Sequence, residues 1–120
     1  MSVFSGDVMI VEDNFIIAMD AEELVTELGA SAVHLASDIA GALALLSAQT
    51  LTAAILDFNI EGGTSEAVAD ALTEKGVPFV FATGYSDTSM LPERYKALRL
   101  LKKPYSRDDI AEAFEARTNV

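Results

Sequence analysis

Two short apolar runs break directly into carboxylates, and together they restrict the chain to few folds. Ala53-Ala54-Ile55-Leu56 runs into Asp57, and Val8-Met9-Ile10-Val11 runs into Glu12-Asp13. A continuous apolar run of this length, bounded by polar turn residues, predicts a strand buried on both faces, as a parallel sheet requires. Each run delivers its acidic end to the carboxyl edge of that sheet, where ligands bind in open α/β folds.

The rest of the chain alternates in the same way. From Asn14 the apolar period becomes helical, with Ile17, Ala21, Leu24, Val25 and Leu28 on one face and Gly29 placed to end the helix. Ala32 to Ala36 reads as a second strand, and Ser37 or Asp38 caps a helix to about Ala48, with Ile39, Leu43 and Leu46 inward. After Asp57 and a polar loop, Thr64 or Ser65 caps a helix through Val68, Ala69 and Leu72 that Gly76 and Pro78 stop. Phe79 to Ala82 forms a fourth strand running into Thr83-Gly84-Tyr85. Pro92 interrupts the segment from Ser86 to Ala97, which predicts a short or poorly ordered helix. Leu98 to Leu101 is a fifth strand, and Ser106 with Asp109 resembles a capping box opening a last helix, with Ile110, Ala113 and Phe114 inward. Phe15, Phe58, Phe79, Phe81 and Phe114 are assigned mostly to the core, and His34, the one histidine, to an incidental place on the second strand. The expectation is an α/β, doubly wound (βα)5 fold of flavodoxin-like type, a five-stranded parallel sheet in order 2-1-3-4-5, over a single domain spanning residues 1–120.

Composition narrows the function classes. A net charge of −11 argues against a nucleic-acid binder, which needs a cationic footprint. No apolar run approaches the ~20 residues of a membrane span, and the absence of cysteine suits the cytoplasm. The charge is unevenly spread. Residues 1–74 hold thirteen Asp or Glu and no Lys or Arg, while seven of the eight basic residues fall at Arg94 or later. Arg94, Lys96, Arg99, Lys102 and Arg107 are the candidate partner-facing patch, weighed against general acidity with a chance asymmetry.

The strand ends converge on one chemistry. Glu12, Asp13, Asp57, Thr83 and Lys103 lie at the ends of four predicted strands and so share an edge. Carboxylates gathered there repel one another unless a cation sits among them, and Mg²⁺ takes oxygen donors of this kind. Asp13 and Asp57 are the candidate direct ligands, with the backbone carbonyl of Asn59 as a third and Glu12 acting through water. An aspartate is also a covalent nucleophile in phosphoryl transfer, which otherwise asks for alignment and charge neutralisation. Asp57 is the candidate acceptor. The metal, the Lys103 ammonium, and either the Thr83 hydroxyl or a backbone N–H near Asn59 would serve the phosphoryl oxygens, and Gly84 leaves room for entry.

With these residues in place the sequence resembles the receiver domain of two-component response regulators, from about Asp7 to Phe114, on Glu12-Asp13, Asp57, Thr83 and the Lys103-Pro104 step. The resemblance implies phosphorylation of Asp57 by a sensor histidine kinase or histidine phosphotransfer protein, with Mg²⁺ required. It also implies output through a downstream protein partner, and no enzymatic role beyond the domain's own phosphorylation and slow dephosphorylation. The family usually carries an aromatic switch residue three positions before the lysine, and here that position is Leu100. Pro78-Phe79-Val80-Phe81-Ala82-Thr83-Gly84-Tyr85 is similar to the Phe-Ala-Thr-Gly subgroup, the FAT GUY receivers, which typically lack that aromatic and are associated with general stress signalling. Thr83, Gly84, Tyr85 and Leu100 are therefore the switch positions, with Tyr85 in place to take over gating. Two rivals stand beside this reading. A Mg²⁺-dependent phosphohydrolase of the haloacid dehalogenase type normally has a second Asp two residues after the first, where this chain has Asn59. A pseudo-receiver would bind partners without phosphorylation.

Overall fold

The structure is a computed structural model that describes residues 3–60, 63–84, 91–96 and 100–118, the last three without their side chains. Five strands form one parallel sheet: β1 (Asp7–Val11), β2 (Ala32–Ala36), β3 (Leu51–Asp57), β6 (Phe79–Thr83) and β7 (Leu100–Lys102). Two further strands of two residues each, β4 (Asn59–Ile60) and β5 (Gly63–Thr64), make a small antiparallel hairpin after β3. The sheet order is β2-β1-β3-β6-β7. With the hairpin set aside, that is the expected 2-1-3-4-5. The helices are α1 (Phe15–Glu27), α2 (Ile39–Ala48), α3 (Glu66–Glu74) and α4 (Arg107–Thr118).

Strand alternation divides the interior into two cores. Val8 and Ile10 of β1, Ala53 and Ile55 of β3, and Val80 and Ala82 of β6 face α1 and α4, where they meet Ala21, Val25, Ile110, Ala113 and Phe114. Met9 and Val11, Ala54 and Leu56, and Phe79 and Phe81 face α2 and α3, against Ala42, Leu46, Val68, Ala69 and Leu72. Because successive side chains of a strand point to opposite faces, a strand with helices on both sides has no polar face, which explains the unbroken apolar runs.

Local signals set most boundaries. Asn14 caps α1, its Oδ1 accepting from the N–H groups of Ile16 at 3.0 Å and Ile17 at 3.1 Å. Asp38 caps α2 by accepting from Gly41 N–H at 2.7 Å. Ser106 and Asp109 form the reciprocal capping box, at 2.9 and 3.2 Å. Gly29 and Gly76, with φ of 113° and 73°, take positive φ just beyond α1 and α3.

Some expectations need correction. Phe15 is 71% exposed and not core, because Asn14 ends the strand-to-helix turn and leaves position 15 on the outer side of α1. On α2 the inward place belongs to Ala42, while Leu43 faces out. His34 keeps its place on β2, where its Nε2 lies 2.9 Å from Asp7 Oδ2. Where a short helix was expected after β6, the described piece is a 3₁₀ turn, Glu93–Tyr95, begun at Pro92. Residues 85–90 and 97–99, which include Tyr85, Leu98 and Arg99, lie outside the described residues.

That turn is tied to α3. The buried Tyr95 ring packs edge-to-face on Phe79 and Phe81, with centroids 5.6 and 5.5 Å away. Its hydroxyl donates to Asp70 Oδ1 and lies 3.4 Å from Thr73 Oγ1. The Tyr95 bond above all holds the Asp70 carboxyl below its ordinary range; burial opposes it, and Arg94 adds to it. A carboxyl depressed by folding contributes stability above its unfolded pKa of about 3.9, and that contribution is lost as pH falls through the folded value. Tyr95→Phe should therefore destabilise the protein by ~1 kcal/mol at pH 7 in urea unfolding. The difference from wild type should shrink as pH is lowered to 4 and below; a pH-independent difference would assign it to ring packing.

Candidate phosphoryl-acceptor site

The site is built by strand register. β1 and β3 run side by side with Val11 opposite Leu56, so the residues that follow them, Glu12-Asp13 and Asp57, emerge together. β3 pairs with β6 through Asp57 and Ala82, and β6 pairs with β7 through Thr83 and Lys102. Lys103 N–H continues this register by donating to the Thr83 carbonyl at 2.9 Å, and the Lys103–Pro104 peptide is cis. The convergence expected of Glu12, Asp13, Asp57, Thr83 and Lys103 is thus a consequence of four strands ending level.

Three charges meet beneath this edge. Lys103 Nζ lies 2.6 Å from Glu12 Oε1 and 2.9 Å from Asp57 Oδ2, and both acidic side chains are more than nine-tenths buried. The second Glu12 oxygen, Oε2, accepts from Asn14 N–H at 3.0 Å, so both oxygens of Glu12 are engaged. Asp13, by contrast, is exposed at the mouth. Glu12, Asp13 and Asp57 each place a carboxylate oxygen within 4.8 Å of the others.

Electrostatics follow from this packing. Burial pushes the Asp57 carboxyl from 3.8 up to about 6, with Glu12 and Asp13 adding repulsion and Lys103 opposing both. Burial alone would lower the Lys103 ammonium, but hydrogen bonds and charge from Glu12 and Asp57 override it and raise the pKa. The half-buried Tyr105 phenol is raised by burial first and by the same two carboxylates next. Asp57 therefore sits under a local excess of negative charge. That is the environment in which a hard cation with oxygen preference binds.

The other candidates are distributed around this centre. Thr83 is buried at the end of β6, and Gly84 follows in a bend where an added Cβ would meet nothing within 4 Å. Asn59 is exposed in β4, two residues beyond Asp57. Phe58 points into the core against Phe81, at a centroid distance of 5.3 Å, while Tyr105 lies beside the site. Leu100 pairs with Phe81 in β7 and packs against the core. Of the basic patch, Lys102 is exposed beside Asp109 and Glu112 along a groove of about 200 Å³. Arg94, Lys96 and Arg107 each pair with a carboxylate of this chain: Arg94 with Glu66 and Asp70, Lys96 with Glu93, Arg107 with Glu27.

Two features escaped the sequence reading. Tyr95 lies in the segment that Pro92 interrupts, and only its contacts single it out. Ser65 Oγ is buried with no hydrogen-bond partner, because Ser65 begins α3 without its side chain capping it.

Comparison with known proteins agrees with this geometry. A curated relative, the phyllosphere-induced regulator PhyR of Methylorubrum extorquens, is 32% identical over 108 residues, covering 88% of this chain and 40% of its own length. This chain therefore spans well under half of that relative. Among solved structures, SdrG from Sphingomonas melonis Fr1 matches with 38% identity and a TM-score of 0.78, over 97% of this chain and 98% of SdrG. A BeF3-activated conformation of SdrG matches with 40% identity and a TM-score of 0.77, over 92% and 94%. The anti-anti-sigma factor PhyR from Bartonella quintana matches with 27% identity and a TM-score of 0.76, over 94% of this chain and 49% of that one. Residues 8–115 match the response regulator receiver domain. With a parallel sheet in that order and carboxylates gathered at its edge, the chain belongs to the response regulator receiver domain family.

Proposed function

We propose that this receiver domain is a phosphorylation switch in which Asp57 accepts a phosphoryl group from a histidine kinase or histidine phosphotransfer protein. The observation that carries the reading is the buried Asp57 held 2.9 Å from the Lys103 ammonium, with Glu12 and Asp13 carboxylates close by. An Asp57 carboxylate oxygen attacks phosphorus, an O–P bond forms as the donor's N–P bond breaks, and the bonding pair leaves with the imidazole. Lys103, already charged and positioned, then moves its pairing from the carboxylate to a phosphoryl oxygen. The Thr83 hydroxyl, or a backbone N–H near Asn59, serves another oxygen.

The donor set fits Mg²⁺: all candidate ligands are oxygens, and none of the residues is His or Cys. Asp13, Asp57 and the Asn59 carbonyl would hold it directly. Glu12, with both oxygens engaged, would hold it through water. When bound, the ion neutralises the carboxylates and the phosphoryl oxygens.

Output is protein binding. The Phe-Ala-Thr-Gly motif at 81–84 and the likeness to PhyR and SdrG support a place in stress signalling. No helix among the described residues is long and apolar enough to cross a membrane. Arg94, Lys96, Arg99, Lys102 and Arg107 remain the proposed partner face. For Arg94, Lys96 and Arg107 a partner would have to compete with internal carboxylates.

Incubation with acetyl phosphate and Mg²⁺, followed by intact mass, should add one phosphoryl group to the wild type. Asp57→Asn or EDTA should abolish the adduct. No adduct from acetyl phosphate or a kinase would favour a pseudo-receiver, and catalytic phosphate release from simple esters would favour a phosphohydrolase. Charge crowding also predicts a stability effect. In EDTA at pH 8, Asp57→Asn should unfold at higher urea than wild type, by on the order of 1–3 kcal/mol, since it removes a buried negative charge. Millimolar Mg²⁺ should stabilise the wild type and leave Asp57→Asn nearly unmoved.

A further inference from the structure

We infer that Tyr95 is the positioning residue that links the state of Asp57 to the outer surface, and that its bond to Asp70 holds the unphosphorylated form. The inference rests on the phosphoacceptor reading of Asp57. Phe79, Phe81 and Thr83 are spaced by two along β6 and so share one face of the sheet, with Thr83 at the site and the two rings behind it. The Tyr95 ring lies on those two rings, 5.5 and 5.6 Å from their centroids. A shift of Thr83 toward Asp57 moves the end of the same strand and alters the seat of the Tyr95 ring, because close-packed interiors transmit small displacements. Leu100 also pairs with β6, opposite Phe81, but it has no polar atom with which to change partners.

The other end of Tyr95 is built differently. Its hydroxyl reaches Asp70, and Arg94 closes on the same carboxylate through Nε at 3.1 Å and Nη2 at 2.8 Å. Arg94 Nη2 also binds Glu66 at 2.6 Å, and the guanidinium carbon lies 4.9 Å from the Tyr95 ring centroid. The Asp70, Glu66 and Arg94 side chains are each between two-fifths and one-half exposed. Water can replace these bonds when they open, so the free-energy gap between closed and open clamp is small, as a switch requires. One side chain thus joins a buried aromatic contact, which senses β6, to a solvent-bathed polar contact, which can let go. Opening it frees the Glu93–Tyr95 turn from α3 and releases Arg94 as a cation for a partner.

Linkage supplies the test. If activation opens the clamp, weakening the clamp must tighten binding of an activating ligand by the same factor. Affinity for beryllofluoride in the presence of Mg²⁺, measured by ¹⁹F NMR or calorimetry on the full chain, should rise about 3–10-fold in Tyr95→Phe, which keeps the ring and removes the hydroxyl. Asp70→Asn should shift affinity in the same direction, and it guards against a folding defect specific to position 95. A merely structural Tyr95 would lower urea stability without tightening the ligand, so an unchanged or weaker affinity in both variants overturns the inference. Failure of the wild type to bind beryllofluoride, with no Asp57 adduct from acetyl phosphate, overturns the phosphoacceptor reading and this inference with it.

Discussion

Lys103 is the group on which the carboxyl edge depends. Two carboxylates, Glu12 and Asp57, are buried side by side, and each would be costly to ionise there alone. The ammonium between them, at 2.6 and 2.9 Å, makes that burial tolerable, yet it leaves a net negative charge with Asp13 nearby. Removing the ammonium would strand both buried carboxylates, a loss of about 3–5 kcal/mol in comparable cases. The cluster is therefore stable enough to be preformed, and its excess negative charge favours a cation beside it. Its geometry is inherited from the backbone, since the Lys103 amide is fixed to the Thr83 carbonyl and Asp57 is in register with Ala82.

β6 connects this chemistry to the rest of the molecule. Its Val80 and Ala82 face the core under α1 and α4, while Phe79 and Phe81 face the core under α2 and α3. A displacement at Thr83 is therefore felt on both sides of the sheet. On the second side the packing includes Tyr95, which reaches the strand from a turn and not from a sheet neighbour. Aromatic contact with β6 is thus supplied from position 95, while position 100 in β7 carries only an aliphatic side chain.

The charge asymmetry of the sequence has a different meaning in three dimensions. Arg94, Lys96 and Arg107 are spent on carboxylates of this chain, drawn from α3, the 3₁₀ turn and α1. These are surface pairs of small individual worth, so they can be exchanged for a partner's acids at little cost. The basic residues of the last quarter are in part counterions to the chain's own acids.

The sequence by itself determined the sheet, its order, most helix caps and the residues at the carboxyl edge. Those features are local: apolar runs that must be buried on both faces, capping side chains within three residues of their targets, and the level ending of parallel strands. Phe15 was misread because it was judged by residue type alone, although it lies on the outer side of α1. The Lys103 pairing with Glu12, the depth of Asp57 and the seat of Tyr95 were decided only by tertiary structure. Each depends on distances between residues from 14 to 91 positions apart (Glu12 to Lys103, Phe81 to Tyr95, Tyr95 to Asp70), and no local pattern encodes them. A tyrosine three residues after a proline looks like loop in one dimension, and becomes a link between core and surface only when strand and helix are brought against it.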